Sequence, residues 1–382
     1  MGRNDGLVGR GPRFREPGVG MTLEPGPYRI LKQIGEGGFG TVFLAVDLRA
    51  REQVAVKHLH VRDVPGIKER FEREANVMRL VTHPGVIGFR DYFFDPSYGH
   101  FLVMEYVDGR RLDEAIDDLS DTEGTRLEIP FVLHVMERLL ETVGFIHGKG
   151  IVHRDLKAEN VLLLERKGAL PDVKLGDFGI AKVLGAAAGP GMHPRLTSRM
   201  LDMRKCCIFG SPDYMSPEQI KGAEVGITPS ADIYALGALL HLMLIGDLPF
   251  RPDPGVENEV INLLGKHLHE TPPDPRGLRP DTPEPLAVAV STAMAKRTED
   301  RFRDAEAFLE AVRAVKASYA AGETVPSESG LRERPRAHID GRVVRASRQA
   351  DALARTLPYA EHVFSDADER PQMRKTLRKR RP

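Results

Sequence analysis

A dense group of polar residues lies between apolar runs in the stretch from residue 151 to 164, which reads IVHRDLKAENVLLL. Asp155 can accept a proton from a hydroxyl group, Lys157 can neutralise a phosphate oxygen, and Asn160 can offer its carboxamide oxygen to a divalent cation. A general base, a cation and a metal ligand within six residues suit phosphoryl transfer, because positioning and charge neutralisation dominate that reaction. The alternative is a solvated turn between two short strands, which would not require further motifs in a fixed order.

A glycine-rich segment, GEGGFGTV at residues 35–42, follows a predicted strand over residues 28–34. Closely spaced glycines let a hairpin backbone approach a triphosphate. A plain glycine-rich turn and a dinucleotide-binding loop are the alternatives, but a dinucleotide loop opens a helix after its last glycine. Residues 41–46 are β-branched and apolar, which predicts a continuing strand and favours a phosphate-covering hairpin.

Charge and composition exclude several classes of protein. The 382 residues include 55 basic and 55 acidic side chains, so bulk charge indicates neither a nucleic-acid nor a membrane partner. We find no apolar run of membrane-spanning length and no apolar signal core near Met1, so we expect a cytoplasmic protein. Cys206 and Cys207 are adjacent and form neither a disulfide framework nor a zinc ligand set.

Four motifs in one order carry a resemblance to the protein kinases. In its Arg-, Ala- and Gly-rich composition the chain also resembles the eukaryotic-type serine/threonine kinases of bacteria. The four motifs are GEGGFG (35–40), VAVK (54–57), HRDLKAEN (153–160) and VKLGDFG (173–179), followed by GSPDYMSPE (210–218). The resemblance covers residues 28–314. It implies an α+β, two-lobed fold with a small, mainly antiparallel β N-lobe that carries a C-helix, and a larger, mainly helical C-lobe.

The bounds of the predicted kinase domain follow from this resemblance, and those of the two flanking segments from composition, which is poor in apolar residues at both ends. We expect a disordered extension over residues 1–25, a kinase domain over 26–316 with lobes at 26–106 and 107–316, and a flexible tail over 317–382. A helix is predicted from Pro130 to His147. The tail can form a short helix and ends in a basic run at 374–381, read either as a solvated tail or as a site for an anionic partner.

The resemblance also implies catalytic roles. Asp155 is the general base, Lys157 neutralises phosphate charge, and Lys57 holds the α- and β-phosphates. Glu74, on the helix predicted over 71–80, is the ion-pair partner of Lys57; Glu72 is the competing candidate but points elsewhere on a helix. The expected cofactors are ATP and Mg²⁺, with Mn²⁺ as an alternative, and the metal ligands are Asn160 and Asp177.

Further positions are assigned by the same resemblance. The nucleotide-binding residues are Gly35, Glu36, Gly37, Gly38, Phe39, Gly40, Val42, Ala55, Lys57, Met104, Glu105, Val107 and Leu162. A stack across the two lobes consists of Met78, Phe89, His153 and Phe178. Glu218 and Arg301 form a structural pair, and Ser211 belongs to the segment at 210–218, which resembles a substrate-docking loop and is called the substrate loop.

Regulation departs from the family pattern. Cys207 stands where a phosphorylated threonine is frequent, and Thr197 and Ser198 are the nearest upstream hydroxyls. Arg154 and Lys182 supply positive charge for a phosphate on either hydroxyl. Cys207 is either a small apolar filler or a redox-sensitive thiol.

The resemblance implies a protein kinase that acts on protein substrates and on itself. Within that family, a serine/threonine enzyme is favoured over a tyrosine kinase because Lys157 follows Asp155 by two positions. A pseudokinase scaffold is one alternative, but it is disfavoured because Lys57, Asp155 and Asp177 are all present. A small-molecule phosphotransferase is another, and the segment from Gly210 to Glu218 argues against it. The oligomeric state stays open.

Overall fold

The computed structural model describes residues 15–37, 40–59, 72, 75, 78–79, 81–120, 126–177, 211–222 and 227–321. Within these ranges the chain forms a lobe built on a β-sheet and a lobe built on helices. This arrangement confirms the two-lobed α+β fold expected from the sequence.

In the described part of the first lobe, six strands form one sheet. They are β1 (Thr22–Leu23), β2 (Tyr28–Gly37), β3 (Gly40–Asp47), β4 (Glu52–Leu59), β5 (Phe89–Asp95) and β6 (Gly99–Glu105). Their spatial order is β1-β2-β3-β4-β6-β5, and each neighbouring pair is antiparallel. The described residues of the predicted C-helix, such as Ala75 and Met78, are helical.

The two faces of this sheet have different roles. Side chains alternate between the faces of a strand, so Val54 and Val56 of β4 lie on one face and Ala55 and Lys57 on the other. The face of Val54 and Val56 packs into an apolar cluster with Leu23, Tyr28, Ile30, Phe43, Ala45, Phe93, Phe101 and Val103. The opposite face is therefore the one that presents Lys57 to the second lobe.

Residues 15–25 belong to this lobe, which corrects the expectation that residues 1–25 are disordered. Leu23 is fully buried in the apolar cluster of the sheet. Further upstream, the backbone N–H of Arg15 donates to the carbonyl of Ser97, between β5 and β6, at 2.9 Å. The segment has few apolar residues overall, but its backbone is also held by the pairing of β1 with β2 and by the N–H of Gly20, which donates to the carbonyl of Ile30 at 2.9 Å.

The second lobe consists mainly of helices. They are α1 (Leu112–Ser120), α2 (Ile129–Gly148), α3 (Pro217–Lys221), α4 (Ser230–Ile245), α5 (Glu259–His269), α6 (Glu284–Ala293) and α7 (Ala305–Ala320). This lobe also contains a small sheet of three strands in the order β7 (Arg110–Arg111), β8 (Val161–Arg166) and β9 (Ala169–Leu175). Within the described ranges, no helix combines the length and the apolar character that crossing a bilayer requires.

Helix α4 forms the centre of the second lobe. All of its residues from Ala231 to Ile245 are buried, and its sequence is apolar on every side. A helix that is apolar all round must be enclosed by other elements. Asp232 is the one acidic residue of α4.

The predicted pair of Glu218 and Arg301 joins α3 to the segment that precedes α7. The Nη1 and Nη2 atoms of Arg301 each donate to one carboxylate oxygen of Glu218 at 2.8 Å, and both side chains are almost fully buried. Arg301 Nε also donates to the carbonyl of Ala295 at 2.7 Å. A bidentate pair of this kind fixes the orientation of α3 as well as its position.

Replacing Leu23 by alanine is expected to lower the free energy of unfolding by about 2–4 kcal/mol, because it deletes a fully buried side chain from the sheet core. Denaturant unfolding of the full chain measures this loss. Val19→Ala is the control, since Val19 is 66% exposed in the same segment. Equal effects of the two substitutions would show that residues 15–25 do not contribute to the core.

Arg301→Ala is expected to destabilise the fold by about 3–5 kcal/mol, because it leaves the buried carboxylate of Glu218 without its partner. The same unfolding experiment applies. Arg303→Ala is the matched control, since Arg303 pairs with Asp304 at the surface and its loss should change little. Similar stability of both variants would contradict a structural role for the buried pair.

Candidate active site

The catalytic loop, residues 153–160 with Asp155, Lys157 and Asn160, is anchored to helix α4 by one buried carboxylate. Asp232, which is 1% exposed, accepts hydrogen bonds at 2.8 Å from the backbone N–H groups of His153 and Arg154. The Nε2 atom of His147 lies 2.8 Å from the same carboxylate. Arg154 adopts a left-handed backbone conformation with φ of 69°. The anchor therefore holds a strained residue directly before Asp155.

Three side chains meet around Asp155, which is 8% exposed. Its Oδ1 accepts from the backbone N–H of Ser211 at 3.2 Å, and its Oδ2 lies 3.7 Å from Lys157 Nζ. Lys157 Nζ also donates to Ser211 Oγ at 3.0 Å. Asn160 Nδ2 donates to the carbonyl of Asp155 at 2.7 Å and lies 3.3 Å from its Oδ2. The structure thus brings the substrate-loop serine to the predicted base and cation.

An ion pair connects the two lobes at the site. Lys57 Nζ of β4 donates to Asp177 Oδ2 at 2.7 Å, with the lysine side chain 7% exposed and the aspartate 33% exposed. Asp177, like Arg154, has a positive φ, of 55°. The preceding residue, Gly176, donates to the carbonyl of Asn160 at 2.8 Å. Lys57 and both expected metal ligands are therefore within one connected group.

The oxygen donors present fit a hard divalent cation. Asp177 offers a partly exposed carboxylate, and the carboxamide nitrogen of Asn160 is used by Asp155, which leaves the carboxamide oxygen for a cation. Mg²⁺ prefers oxygen ligands of this type and retains several waters. These two side chains would hold the metal, which would neutralise the charge of the nucleotide phosphates.

The glycine-rich hairpin leaves room over the cleft. Gly35 pairs with Val42, and a Cβ atom at Gly35 would meet only the Val42 side chain, at 3.8 Å. At Gly40, in contrast, a Cβ atom would lie 2.2 Å from the carbonyl oxygen of His58. A side chain at position 40 would therefore clash with strand β4, whereas the space beside Gly35 is open and could accommodate a nucleotide.

The expected adenine pocket has walls from both lobes. Val42 pairs with Lys57 and Ala55 with Met104, so these four residues share the cleft-facing side of the sheet. Leu162 lies on β8 of the second lobe and is partly buried. The structure places these predicted residues on elements that bound the same cleft.

The carboxylate of Glu105, at the end of β6, contacts other groups of the protein and not the cleft. Its carboxylate oxygens lie 2.8 and 2.9 Å from Lys174 Nζ on β9, and Oε2 accepts from the backbone N–H of Gly88 at 3.0 Å. The backbone N–H of Glu105 also donates to the carbonyl of Gly88 at 2.7 Å. The expected contacts of Glu105 and Val107 with adenine stay predictions. The pair of Glu105 and Lys174 also ties β6 to the strand that leads to Asp177.

A small cavity lies behind the catalytic loop and is lined by Arg154, Asp155, Ser211, Tyr214 and Gln219, among others. Burial raises the pKa of the Tyr214 phenol above its ordinary value, so this group stays neutral at physiological pH. The cavity wall therefore contains both catalytic-loop and substrate-loop residues.

Sequence reasoning did not assign roles to Asp232, Gln219 or Lys174. Asp232 had a detectable signal, because it is an acid at the start of an otherwise apolar helix. Gln219 completes an S-x-x-Q capping pattern with Ser216. Nothing local to Lys174 indicates its contact with Glu105, which is 69 positions away.

Several predicted residues lie outside the described residues, and their roles stay predictions. They are Gly38, Phe39, Glu74, Phe178, Lys182, Thr197, Ser198 and Cys207. The expected Lys57–Glu74 pair and the stack of Phe178 on Met78, Phe89 and His153 therefore also stay predictions. Glu72, the competing candidate for Glu74, has an exposed side chain.

Comparison with known proteins gives a consistent result. A family model described as "Protein kinase domain" matches residues 28–302. The serine/threonine-protein kinase Pkn1 of Myxococcus xanthus is 33% identical over 325 residues, which is 84% of this chain and 43% of the relative. The serine/threonine-protein kinase PknA of Mycobacterium tuberculosis is 32% identical over 307 residues, 79% of this chain and 64% of the relative. The chain thus spans only part of the length of these relatives.

Among solved structures, the kinase domain of Mycobacterium tuberculosis PknI is similar to this chain, with a TM-score of 0.57. The similarity covers 79% of this chain and 99% of that one at 23% sequence identity. At this identity the likeness supports the fold.

Asp177→Ala is expected to weaken the Mg²⁺ dependence of nucleotide binding more than Asn160→Ala does, because a carboxylate offers a full charge and an amide only a dipole. Magnesium titration of the binding of a fluorescent ATP analogue measures both effects. Asp172→Ala is the control, since Asp172 lies on β9 and pairs at the surface with Arg166. Unchanged magnesium dependence in both site variants would reject the ligand assignment.

Proposed function

The chain belongs to the family of protein kinase domains, and we propose that it transfers the γ-phosphoryl group of ATP to serine and threonine hydroxyls of proteins, including its own. The observation that carries this proposal is the contact of Lys157 and Ser211 around the carboxylate of Asp155. Asp155 would act as the base for a substrate hydroxyl placed beside it. Lys157 would supply the positive charge for the phosphoryl group that this hydroxyl attacks.

The proposed mechanism assigns one task to each group. Asp155 orients the substrate hydroxyl and accepts its proton as the oxygen–phosphorus bond forms. Lys157, 3.7 Å from Asp155, neutralises charge on the transferred phosphoryl group. Lys57 supplies a positive charge to the phosphates from the opposite lobe. When bound, the Mg²⁺ held by Asp177 and Asn160 neutralises phosphate charge and orients the phosphates.

The geometry supports catalysis over two other functions. A pseudokinase that acts only as a scaffold needs none of these contacts, yet Lys57 bonds to Asp177 at 2.7 Å and Asn160 holds the backbone of Asp155 at 2.7 Å. A small-molecule phosphotransferase has no use for a substrate loop whose serine is bonded to Lys157. A protein substrate is therefore favoured.

The choice of metal is also part of the proposal. We infer Mg²⁺ as the working ion because protein kinases use it. Mn²⁺ is the alternative, because it also accepts carboxylate and carbonyl ligands. Activity titrated with each ion in turn separates the two.

Regulation and cellular context extend the proposal. Arg154 and Lys182 would bind a phosphate on Thr197 or Ser198, and Cys207 would be either a filler or a redox-sensitive thiol. Mass spectrometry of the active protein tests the phosphate, and peroxide treatment of Cys207→Ser tests the thiol. The basic end of the chain as a site for an anionic partner and a cytoplasmic location stay predictions from the sequence.

Asp155→Asn and Lys57→Met are each expected to lower kcat by about 100-fold or more, because each removes a preorganised charged group from the site. The measurement uses labelled ATP with Mg²⁺ and a general protein substrate, followed by phosphoamino acid analysis. Thermal unfolding of each variant shows whether the fold is retained. Turnover like that of the wild type in a folded Asp155→Asn variant, or phosphate found only on tyrosine, would refute the proposed function.

A further inference from the structure

The side chain of Gln219 connects the substrate-loop helix α3 to the catalytic loop. Its Oε1 accepts from the backbone N–H and from the hydroxyl of Ser216, each at 3.0 Å, which closes the N-terminal cap of α3. Its Nε2 donates to the carbonyl oxygen of Arg154 at 3.0 Å. One carboxamide therefore acts as acceptor toward its own helix and as donor toward a loop 65 positions earlier.

The hydrogen bond from Gln219 is accepted by Arg154, the residue with the strained backbone conformation. Arg154 has a φ of 69°, a conformation that a residue with a large side chain rarely adopts unless its surroundings hold it. The Asp232 carboxylate holds its N–H at 2.8 Å, and Gln219 holds its carbonyl. The peptide groups on both sides of the strained residue are thus fixed by side chains, and the second of them leads directly into Asp155.

We propose that Gln219 is a positioning residue for catalysis, which sets the backbone direction at Arg154 and so the placement of the Asp155 carboxylate. This inference rests on the proposed kinase activity. The cap of α3 alone does not require glutamine, because a capping box accepts glutamate or glutamine at this position. Only glutamine can complete the cap and also donate to the Arg154 carbonyl at neutral pH.

The experiment compares Gln219→Glu with Gln219→Met in the full chain. Both substitutions remove the donor to Arg154, but only methionine also removes the acceptor that caps α3. We expect kcat to fall by about tenfold in both variants with the KM for ATP unchanged, because the phosphate contacts of Lys57 are not affected. Thermal stability should fall in Gln219→Met and remain close to wild type in Gln219→Glu.

Asp304→Ala provides the control for the loss of a helix cap. Asp304 accepts from the backbone N–H of Ala307 at 2.8 Å and caps α7, away from the site. This variant should unfold at a lower temperature and retain the kcat of the wild type. A fall in kcat that matches that of Gln219→Met at a similar loss of stability would show that the effect is structural and would overturn the inference.

Hydrogen exchange supplies a measurement that does not depend on activity. The backbone amides of residues 153–155 should exchange faster in Gln219→Glu than in the wild type and should be unaffected in Asp304→Ala. An inactive wild-type protein would refute the proposed kinase function, while the exchange rates would still decide the link between Gln219 and Arg154. Wild-type exchange together with wild-type kcat in Gln219→Glu would overturn the inference.

Discussion

The buried carboxylate of Asp232 is the interaction on which the arrangement of the site depends. It receives the backbone N–H groups of His153 and Arg154 and lies against His147, each at 2.8 Å. An unpaired charge at this depth would be strongly unfavourable, so these donors are also what allows an acid inside the lobe core. Because α4 is buried along its length, the catalytic loop is fixed to an element enclosed in the core of the second lobe.

The chemistry of the site comes from segments far apart in the chain. Lys57 lies on a strand of the first lobe, whereas Asp177 follows β9 in the second, and their 2.7 Å contact links the lobes where phosphates would bind. Asp155 and Ser211 meet in the same way within the second lobe. Charges held in place before substrate arrives stabilise developing charge without reorganisation.

Local sequence patterns predicted the structure correctly where a short segment has a clear motif or a clear hydrophobic period. The sequence pattern after Gly40 predicted a continuing strand and not the helix of a dinucleotide loop, and β3 begins at Gly40. The prediction for residues 1–25 was wrong for residues 15–25, because composition averages over a window. Leu23 is buried against residues of other strands, such as Phe93 and Phe101, and no property of its neighbours in sequence reveals that contact.

The sequence by itself determined which groups are available and their local order, namely Asp155, Lys157 and Asn160 as the predicted base, cation and metal ligand, and the family to which they point. Only the tertiary structure decided which distant groups complete them. Ser211 lies 54 positions from Lys157, and Gln219 lies 65 positions from Arg154, yet both pairs are hydrogen-bonded at 3.0 Å. Periodicity and turn chemistry act over a few residues, whereas such contacts depend on how the whole core packs, which all of its residues determine together.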